Sequence, residues 1–248
     1  MKKSVILFSG GPDSLAALEY ARRESEVVGL VYFLRSLPAA SLQAARSLSD
    51  YYSIPLTLIP YTSALPGNYF EALMTSHPYI VDRNLLFLTL TSIYIKTGAF
   101  GPDISSIYTG FVQGDPGIYD ITSDFVSHLN SLLSLDTTYP LQVLAPYTDV
   151  SKETLFEDLL YKYFAPVHLT WSCFREGEYV GMLGGRGKYV PCGECVACLR
   201  RIRVFRAAKV QDPLEYPEAV DWTDCVPWKE YYEAVQVPSR KEKRVEEV

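Results

Sequence analysis

Short apolar runs alternate with helix-patterned segments along the first two thirds of the chain. Five runs have the composition of buried parallel strands: residues 4–8, 27–33, 56–59, 106–109 and 141–144. The segments between or after them carry apolar residues at helical spacing: residues 13–23, 38–52, 84–96, 121–133 and 151–163, the last with Ser151 as its N-cap. Strands that alternate with helices form a parallel sheet with right-handed crossovers. The sequence therefore predicts an α/β fold.

The pattern changes after Pro166, where short segments, glycines and cysteines replace the alternation. We therefore expect an α/β core over residues 1–165, a small cysteine-containing lobe over residues 166–212 and a C-terminal extension over residues 213–248. Within the lobe, the glycine-rich stretch 177–187 is expected to form a surface loop. The charged end of the extension is expected to be flexible.

The charge balance limits the partners of such a chain. Its 248 residues carry a net charge of −6 at pH 7, which argues against stable binding to nucleic acid. No apolar run approaches the roughly 20 residues that a membrane-spanning helix needs. The apolar run at residues 4–8 is also too short for the core of a signal peptide. We expect a cytoplasmic protein with no membrane partner.

The segment Ser-Gly-Gly-Pro-Asp-Ser at residues 9–14 lies between the first predicted strand and the first predicted helix. A helix N-terminus presents unpaired N–H groups and the positive end of the helix dipole, so it attracts phosphate. The glycines allow the backbone to approach the anion, and the serine hydroxyls add donors. Asp13 is itself an anion, so we expect it to hold Mg²⁺ or to order the loop. The alternative is a plain strand–turn–helix corner with a serine or aspartate cap.

Four of the five cysteines can form one metal site: Cys173, Cys192, Cys195 and Cys198. The last three are joined by two C-x₂-C steps, so their thiolates can face one ion across a tight turn, and Cys173 can complete a tetrahedron. Four sulfur ligands leave no open position, which favours structural zinc. An iron–sulfur cluster or a redox pair is the alternative. Cys225 lies outside this set and is expected to be a packed thiol.

The phosphate loop and the cysteine set together resemble one known family. The loop resembles the SGGxDS signature of the N-type ATP pyrophosphatases, which cleave ATP to AMP and pyrophosphate. Together with Trp-Ser-Cys at residues 171–173 and C-G-x-C-x-x-C-x-x-R at residues 192–201, it resembles the QueC family of 7-cyano-7-deazaguanine synthases. The resemblance extends over about residues 4–208. It implies a Rossmann-like parallel sheet of the adenine-nucleotide α-hydrolase type, with a small C-terminal zinc-binding lobe.

The resemblance also implies roles for individual residues. Residues 82–84 resemble a segment that lines the family's nucleotide site, residues 109–111 its glycine at the sheet edge, and residues 146–152 its strand-end proline and following lysine. The implied ATP-binding residues are Phe8, Ser9, Gly10, Gly11, Asp13, Ser14, Arg83 and Gly110. Asp13 and Lys152 would be catalytic. Residues 115–125 resemble the substrate loop, and the implied substrate contacts are Asp115, Asp120 and Phe125.

The activity that the resemblance implies uses ATP twice. ATP with Mg²⁺ would adenylate the carboxylate of 7-carboxy-7-deazaguanine, and ammonia would displace AMP to give an amide. Adenylation of the amide oxygen and loss of a second AMP would leave the nitrile. The loop amides, Mg²⁺ and Lys152 would stabilise the charge that develops on the departing pyrophosphate.

The substrate loop departs from the family's pattern. Residues 118–122 are Ile-Tyr-Asp-Ile-Thr where the family has Tyr-Pro-Asp-Cys-Arg, and the long interval between Cys173 and Cys192 implies an insertion. These departures motivate an alternative in which the adenylated carboxylate is coupled to another amine, such as one on a protein. A catalytically silent nucleotide-binding protein and a tRNA-thiolating enzyme are further alternatives.

Several of these residues have a structural alternative. Lys152 could be a solvated lysine, Arg83 could pair with Asp82, and Asp120 could cap the helix that follows it. The arginines after Cys198 are expected on a solvated helix face, which could meet a second subunit in a homodimer. The histidines show no ligand spacing and are expected to be structural or exposed: His77, His128 and His168.

Overall fold

The computed structural model describes residues 2–34, 40–61, 82–114, 118–175, 178–180 and 188–242. Five parallel strands form one sheet in the order β3-β2-β1-β4-β5. They are β1 (Lys3–Leu7), β2 (Glu26–Leu34), β3 (Leu56–Pro60), β4 (Ile104–Thr109) and β5 (Gln142–Leu144). The helices that accompany them are α1 (Pro12–Glu24), α2 (Ala40–Tyr52), α3 (Arg83–Lys96), α4 (Ser123–Leu133) and α5 (Lys152–Glu157). The predicted Rossmann-like α/β fold is confirmed.

The sheet is buried on both faces, which explains the continuous apolar runs. Val5 and Ile6 are adjacent on the central strand β1, both are fully buried, and they belong to different core clusters. Adjacent strand residues point to opposite faces, so each side chain packs on its own side of the sheet. Ile6 belongs to the cluster of Leu15 on α1, and Val5 to that of Leu88 on α3.

The strand order places the loops after β1 and β4 next to each other. The chain proceeds from β1 outward through β2 and β3, then crosses back to β4 on the other side of β1. In the parallel pairing, Leu7 at the end of β1 lies opposite Thr109 at the end of β4. Open α/β sheets bind ligands in the crevice at such a reversal of strand order. Residues 9–14 and Gly110 occupy this crevice.

Two helices after β4 begin and end differently from the predicted bounds. A 3₁₀ turn (Tyr119–Ile121) precedes α4, and the Thr122 side chain caps α4 by accepting from the Phe125 N–H. Ser151 caps α5 as predicted, accepting from the Thr154 N–H at 3.2 Å. However, the predicted single helix over 151–163 changes at Asp158 into a wider π turn (Asp158–Lys162).

The C-terminal part contains a 3₁₀ turn (Val167–Leu169), an antiparallel pair of β6 (Glu178–Val180) and β7 (Lys188–Val190), and two helices, α6 (Val196–Ala207) and α7 (Trp228–Glu242). The prediction of a surface loop over 177–187 is wrong for residues 178–180, which are a strand, and residues 181–187 lie outside the described residues. Helix α7 extends into the charged tail as far as Glu242. No helix among the described residues is long and apolar enough to cross a membrane.

Candidate nucleotide site and cysteine cluster

The loop between β1 and α1 is ordered by its own serines. The Ser14 hydroxyl donates to the Gly11 carbonyl at 2.9 Å, and the Gly11 N–H donates to the Ser9 hydroxyl at 3.3 Å. Pro12 begins α1 and has no N–H of its own. Among the described residues no side chain caps α1. The first N–H groups of the helix therefore have no capping side chain, and an anion such as phosphate can accept from them.

Two glycines are required by close packing around this loop. Gly10 has φ +77°, and a Cβ there would lie 2.5 Å from the Ser41 carbonyl oxygen of α2. A Cβ at Gly110, directly after β4, would lie 2.5 Å from the carbonyl carbon and oxygen of Asp13. No side chain fits at either position. The glycines let α2 and the end of β4 press against the beginning of α1.

The structure brings Asp13 and Lys152 together, although 139 residues separate them in the chain. The Lys152 Nζ donates to Asp13 Oδ2 at 2.7 Å, and the side chains are 30% and 29% exposed. The second oxygen, Asp13 Oδ1, is buried and has no hydrogen-bond partner among the described residues. A carboxylate oxygen in this position fits a hard cation such as Mg²⁺. The pair therefore places a positive charge and a candidate cation ligand at the phosphate loop.

Asp120 and Asn84 join the 3₁₀ turn to the beginning of α3. The Asn84 N–H donates to Asp120 Oδ2 at 3.0 Å, and its side-chain amide donates to the Asp120 carbonyl at 3.3 Å. The alternative in which Asp120 caps the following helix is therefore wrong, because this carboxylate caps α3, which precedes it. Asp120 is wholly buried, and its Oδ1 has no partner among the described residues. Arg83, directly before Asn84, is partly exposed in the first turn of α3.

The remaining assigned residues lie in different surroundings. Phe8 is 2% exposed in the core, and its N–H donates to the Val31 carbonyl of β2. Phe125 packs near Phe111 and Tyr119, at ring distances of 6.4 and 6.0 Å. Asp115 lies outside the described residues. The nucleotide and substrate roles of all these residues stay predictions.

The four predicted metal ligands converge. Their sulfur atoms all lie within 4.8 Å of one another: Cys173, Cys192, Cys195 and Cys198. Three of the sulfur–sulfur distances are 3.5, 3.6 and 3.9 Å. A zinc ion with four Zn–S bonds of about 2.3 Å has sulfur atoms roughly 3.8 Å apart. The cluster therefore has the dimensions of a closed tetrahedral metal site.

Backbone N–H groups prepare these thiols for a metal. The Cys192 N–H donates to the Cys173 sulfur at 3.5 Å, and the Cys195 N–H donates to the Cys192 sulfur at 3.4 Å. A hydrogen bond from Cys198, aided by backbone donors, lowers the pKa of Cys173, whereas burial raises the pKa of Cys192 and the bond to Cys173 raises that of Cys198. One thiol of the cluster therefore favours the thiolate form that metals bind.

Arg201 is a buried charge on α6. The prediction that it lies on a solvated helix face with its neighbours is wrong, because its side chain is only 2% exposed. Its Nε and Nη2 donate to both oxygens of Asp212, at 2.7 and 3.1 Å. Asp212 was not singled out by sequence reasoning. The only available signal was its position before Pro213, a pair that favours a turn, and Asp212 does accept from the Leu214 N–H.

Known families and relatives match most of the chain. The family model described as "Queuosine biosynthesis protein QueC" matches residues 3–209. The chain belongs to the QueC family. A 7-cyano-7-deazaguanine synthase from Caldicellulosiruptor bescii is 27% identical over 237 residues, covering 89% of this chain and 100% of the relative. A second from Nautilia profundicola is 27% identical over 238 residues, covering 88% of this chain and 100% of the relative.

The QueC match ends close to the last turn of α6, so it includes both the loop after β1 and all four clustered cysteines. The predicted resemblance over about residues 4–208 is confirmed. Among solved structures, a 4-thiouridine synthetase in complex with RNA and bound ATP is 16% identical with a TM-score of 0.43, covering 83% of this chain and 50% of that one.

Proposed function

We propose that this QueC-family protein is an ATP-dependent carbon–nitrogen ligase that converts 7-carboxy-7-deazaguanine and ammonia to 7-cyano-7-deazaguanine. The observation that carries the proposal is the Lys152–Asp13 pair beside the uncapped start of α1, at 2.7 Å. The full-length relatives that carry the synthase name support the choice of substrate. They give no support to the alternative acceptor, an amine on a protein.

The phosphate loop and Lys152 would act on the triphosphate. The N–H groups at the start of α1 would donate hydrogen bonds to the phosphate oxygens, and Asp13 Oδ1 would hold the Mg²⁺ that accompanies ATP. As phosphate charge enters the site, Lys152 Nζ would exchange its contact with Asp13 for the departing pyrophosphate. Preorganised positive charge at that position stabilises the transition state more than the ground state.

The chemistry follows from the poor reactivity of a carboxylate. Its oxygen attacks the α-phosphorus of ATP, pyrophosphate leaves, and an acyl adenylate forms. Ammonia then attacks the acyl carbon, loses a proton, and AMP leaves to give the amide. The amide oxygen attacks the α-phosphorus of a second ATP, and its pyrophosphate leaves. Loss of the nitrogen-bound protons together with AMP leaves the nitrile, so each nitrile requires two ATP.

The four-cysteine site would hold zinc in a structural role. Four thiolates complete a tetrahedron, so no position remains for a substrate or a water nucleophile. The sites of Asp13 and of the cysteines are built by different parts of the chain, so the zinc would support the shape of the C-terminal lobe rather than take part in adenylation.

The reaction can be tested by mass spectrometry of the protein incubated with ATP, Mg²⁺, ammonium and 7-carboxy-7-deazaguanine. We expect nitrile, with two AMP released per nitrile. The Asp13→Asn variant keeps the size of the side chain but removes its charge, and is expected to release little AMP. Wild-type protein that is folded and metal-loaded yet releases no AMP with this substrate would contradict the proposal.

The metal can be measured independently of activity. We expect about one zinc per chain by elemental analysis of protein purified without added metal. Cys198→Ser should lose the metal, whereas Cys225→Ser, which lies outside the cluster, should retain it. A well-folded protein without zinc, or one that contains iron and sulfide, would overturn the assignment.

A further inference from the structure

The backbone of Trp171 contacts the phosphate loop at Gly10 and at Gly11. Its N–H donates to the Gly10 carbonyl at 3.0 Å, and its carbonyl oxygen would lie 3.3 Å from a Cβ at Gly11. On the other side, Gly10 presses against the Ser41 carbonyl of α2. The loop therefore lies between α2 and residues 167–173, which we call the connecting segment.

The same tryptophan is fixed to the cysteine cluster. Its indole N–H donates to the Cys173 carbonyl at 3.2 Å, and the residue is only 7% exposed. It shares one apolar cluster with Cys173 and Cys198, and with Ala40 and Ala44 of α2. Cys173 lies two positions after Trp171, so about 7 Å of extended backbone joins the contact to the phosphate loop to a predicted metal ligand.

Helix α6 contacts the connecting segment at its other end. Cys198 and Arg201 lie three residues apart, on one face of the helix. Arg201 donates to the Thr170 hydroxyl at 2.8 Å and to the Val167 carbonyl at 3.2 Å. The connecting segment would then be held to α6 at two points: by Arg201 at residues 167 and 170, and by a metal that joins Cys173 to Cys198. Trp171 lies between these two points.

We propose that Trp171 is a positioning residue that couples the metal site to the phosphate loop, so that metal occupancy and affinity for the triphosphate depend on each other. The metal fixes Cys173, Cys173 orients Trp171, and the Trp171 N–H orients the Gly10 carbonyl and with it the amides that follow. Coupling of this kind is reciprocal, because the factor by which metal raises nucleotide affinity equals the factor by which nucleotide raises metal affinity. The nucleotide half of this inference rests on the proposed function.

Amide hydrogen exchange tests the coupling without any substrate. Trp171→Phe keeps an aromatic ring in the cluster but removes the indole N–H that contacts Cys173. In metal-loaded Trp171→Phe protein, we expect faster exchange over residues 9–14 than in the wild type. Trp222→Phe is the matched control, because Trp222 packs against Arg206 and lies outside the connecting segment. Unchanged exchange over residues 9–14 in fully metal-loaded Trp171→Phe would overturn the coupling.

Binding measurements then test reciprocity. With a non-hydrolysable ATP analogue and Mg²⁺, we expect the Kd of metal-loaded Trp171→Phe to rise about tenfold. In chelator competition, the analogue should raise the zinc affinity of the wild type by a similar factor and that of the variant by less. Equal zinc affinity of the wild type with and without bound analogue would overturn the proposal. If the wild type binds no analogue at all, the proposed ATP site fails, while the exchange result still decides whether metal and loop are coupled.

Discussion

Two ion pairs of equal length, in two regions of the molecule, differ in almost every other respect. Lys152–Asp13 in the crevice and Arg201–Asp212 near the cysteine cluster both measure 2.7 Å. The first pair is about 30% exposed on each side, and the second is 2% and 0% exposed. Distance alone therefore does not distinguish a reactive pair from a structural one.

The two pairs also differ in how fully their polar atoms are bonded. Both oxygens of Asp212 accept hydrogen bonds, from Arg201 and from the Leu214 N–H and the Tyr216 hydroxyl. Asp13, by contrast, keeps one buried oxygen without a partner among the described residues. A buried ion pair is stable only when its remaining donors and acceptors are bonded, whereas a site that receives a ligand keeps some of them unbonded. Under the proposed function, the unbonded oxygen of Asp13 is the feature that separates a pair that receives a ligand from a purely structural pair.

The largest effect is expected when the buried pair is broken. Arg201→Met leaves the charge of Asp212 buried without its partner, which should lower the free energy of unfolding by about 3–5 kcal/mol. Urea unfolding of metal-loaded protein measures the loss. Arg203, on the same helix, pairs with Glu153 but is 77% exposed, so Arg203→Met should cost less than about 1 kcal/mol. Equal losses for the two variants would contradict the distinction.

Breaking the open pair should affect the rate instead of the stability. Lys152→Met removes the charge that we propose stabilises the departing pyrophosphate, so kcat should fall by about 10²–10³. Since the pair is partly exposed, the free energy of unfolding should change by less than about 1 kcal/mol. Pyrophosphate release and urea unfolding measure the two quantities. Lys162→Met, which removes a more exposed lysine paired with Asp158, is the control and should leave the rate unchanged. A Lys152 variant that is unstable but active would reverse our assignment of the two pairs.

Local patterns were enough to predict the sheet and the chemistry-bearing motifs. Val5 and Ile6 belong to a short apolar run, and residues 9–14 follow it directly, so the strand, the turn and the helix start are all visible within a dozen residues. The C-x₂-C spacing likewise identified three of the four clustered thiols. In each case the interacting residues are close in the sequence, so their spacing is enough to predict how they are arranged in space.

Contacts between distant residues were not predictable in the same way. Arg201 looks like any arginine of a basic helix until Asp212, Thr170 and Val167 are brought against it. Asp120 accepts from Asn84, which lies 36 residues before it in the first turn of α3, so no local capping pattern reveals the contact. These contacts depend on which helices and strands pack against each other, and that packing cannot be read from local patterns in a single sequence. Lys152 was found only through the resemblance to a family.

A smaller effect is expected from the cap that precedes Lys152. Ser151→Ala removes the hydroxyl that accepts from the Thr154 N–H, which should cost about 1 kcal/mol of stability. Because the same turn carries Lys152, the rate should also fall, though far less than in Lys152→Met. Ser151→Thr should restore both. Ser127→Ala, at an exposed position inside α4, controls for loss of a serine and should cost almost nothing. A rate unchanged by Ser151→Ala would show that the cap does not position Lys152.

The smallest expected effect is on the pH dependence of stability, and it comes from His168. Unlike the residues of the two ion pairs, His168 is buried without a charged partner among the described residues. Its ring lies near Trp228 and Tyr232 of α7, and its Nδ1 is buried with no partner among the described residues. Burial lowers the pKa of His168, so the folded protein binds this proton less readily than the unfolded chain does. As the pH falls through the ordinary histidine value of about 6.5, the unfolded state gains the proton first and stability decreases.

His168→Phe removes this titration while keeping an aromatic ring against α7. The decrease in unfolding free energy between pH 7.5 and 5.5 should therefore be smaller in the variant than in the wild type, measured by urea unfolding at each pH. His128→Phe, which replaces an exposed histidine on α4, controls for loss of a histidine elsewhere. An identical pH dependence in wild type and His168→Phe would mean that the unbonded ring nitrogen is solvated. In that case the same observation, a buried polar atom without a protein partner, would have two meanings. At Asp13 it would indicate a ligand site, and at His168 it would indicate a bound water.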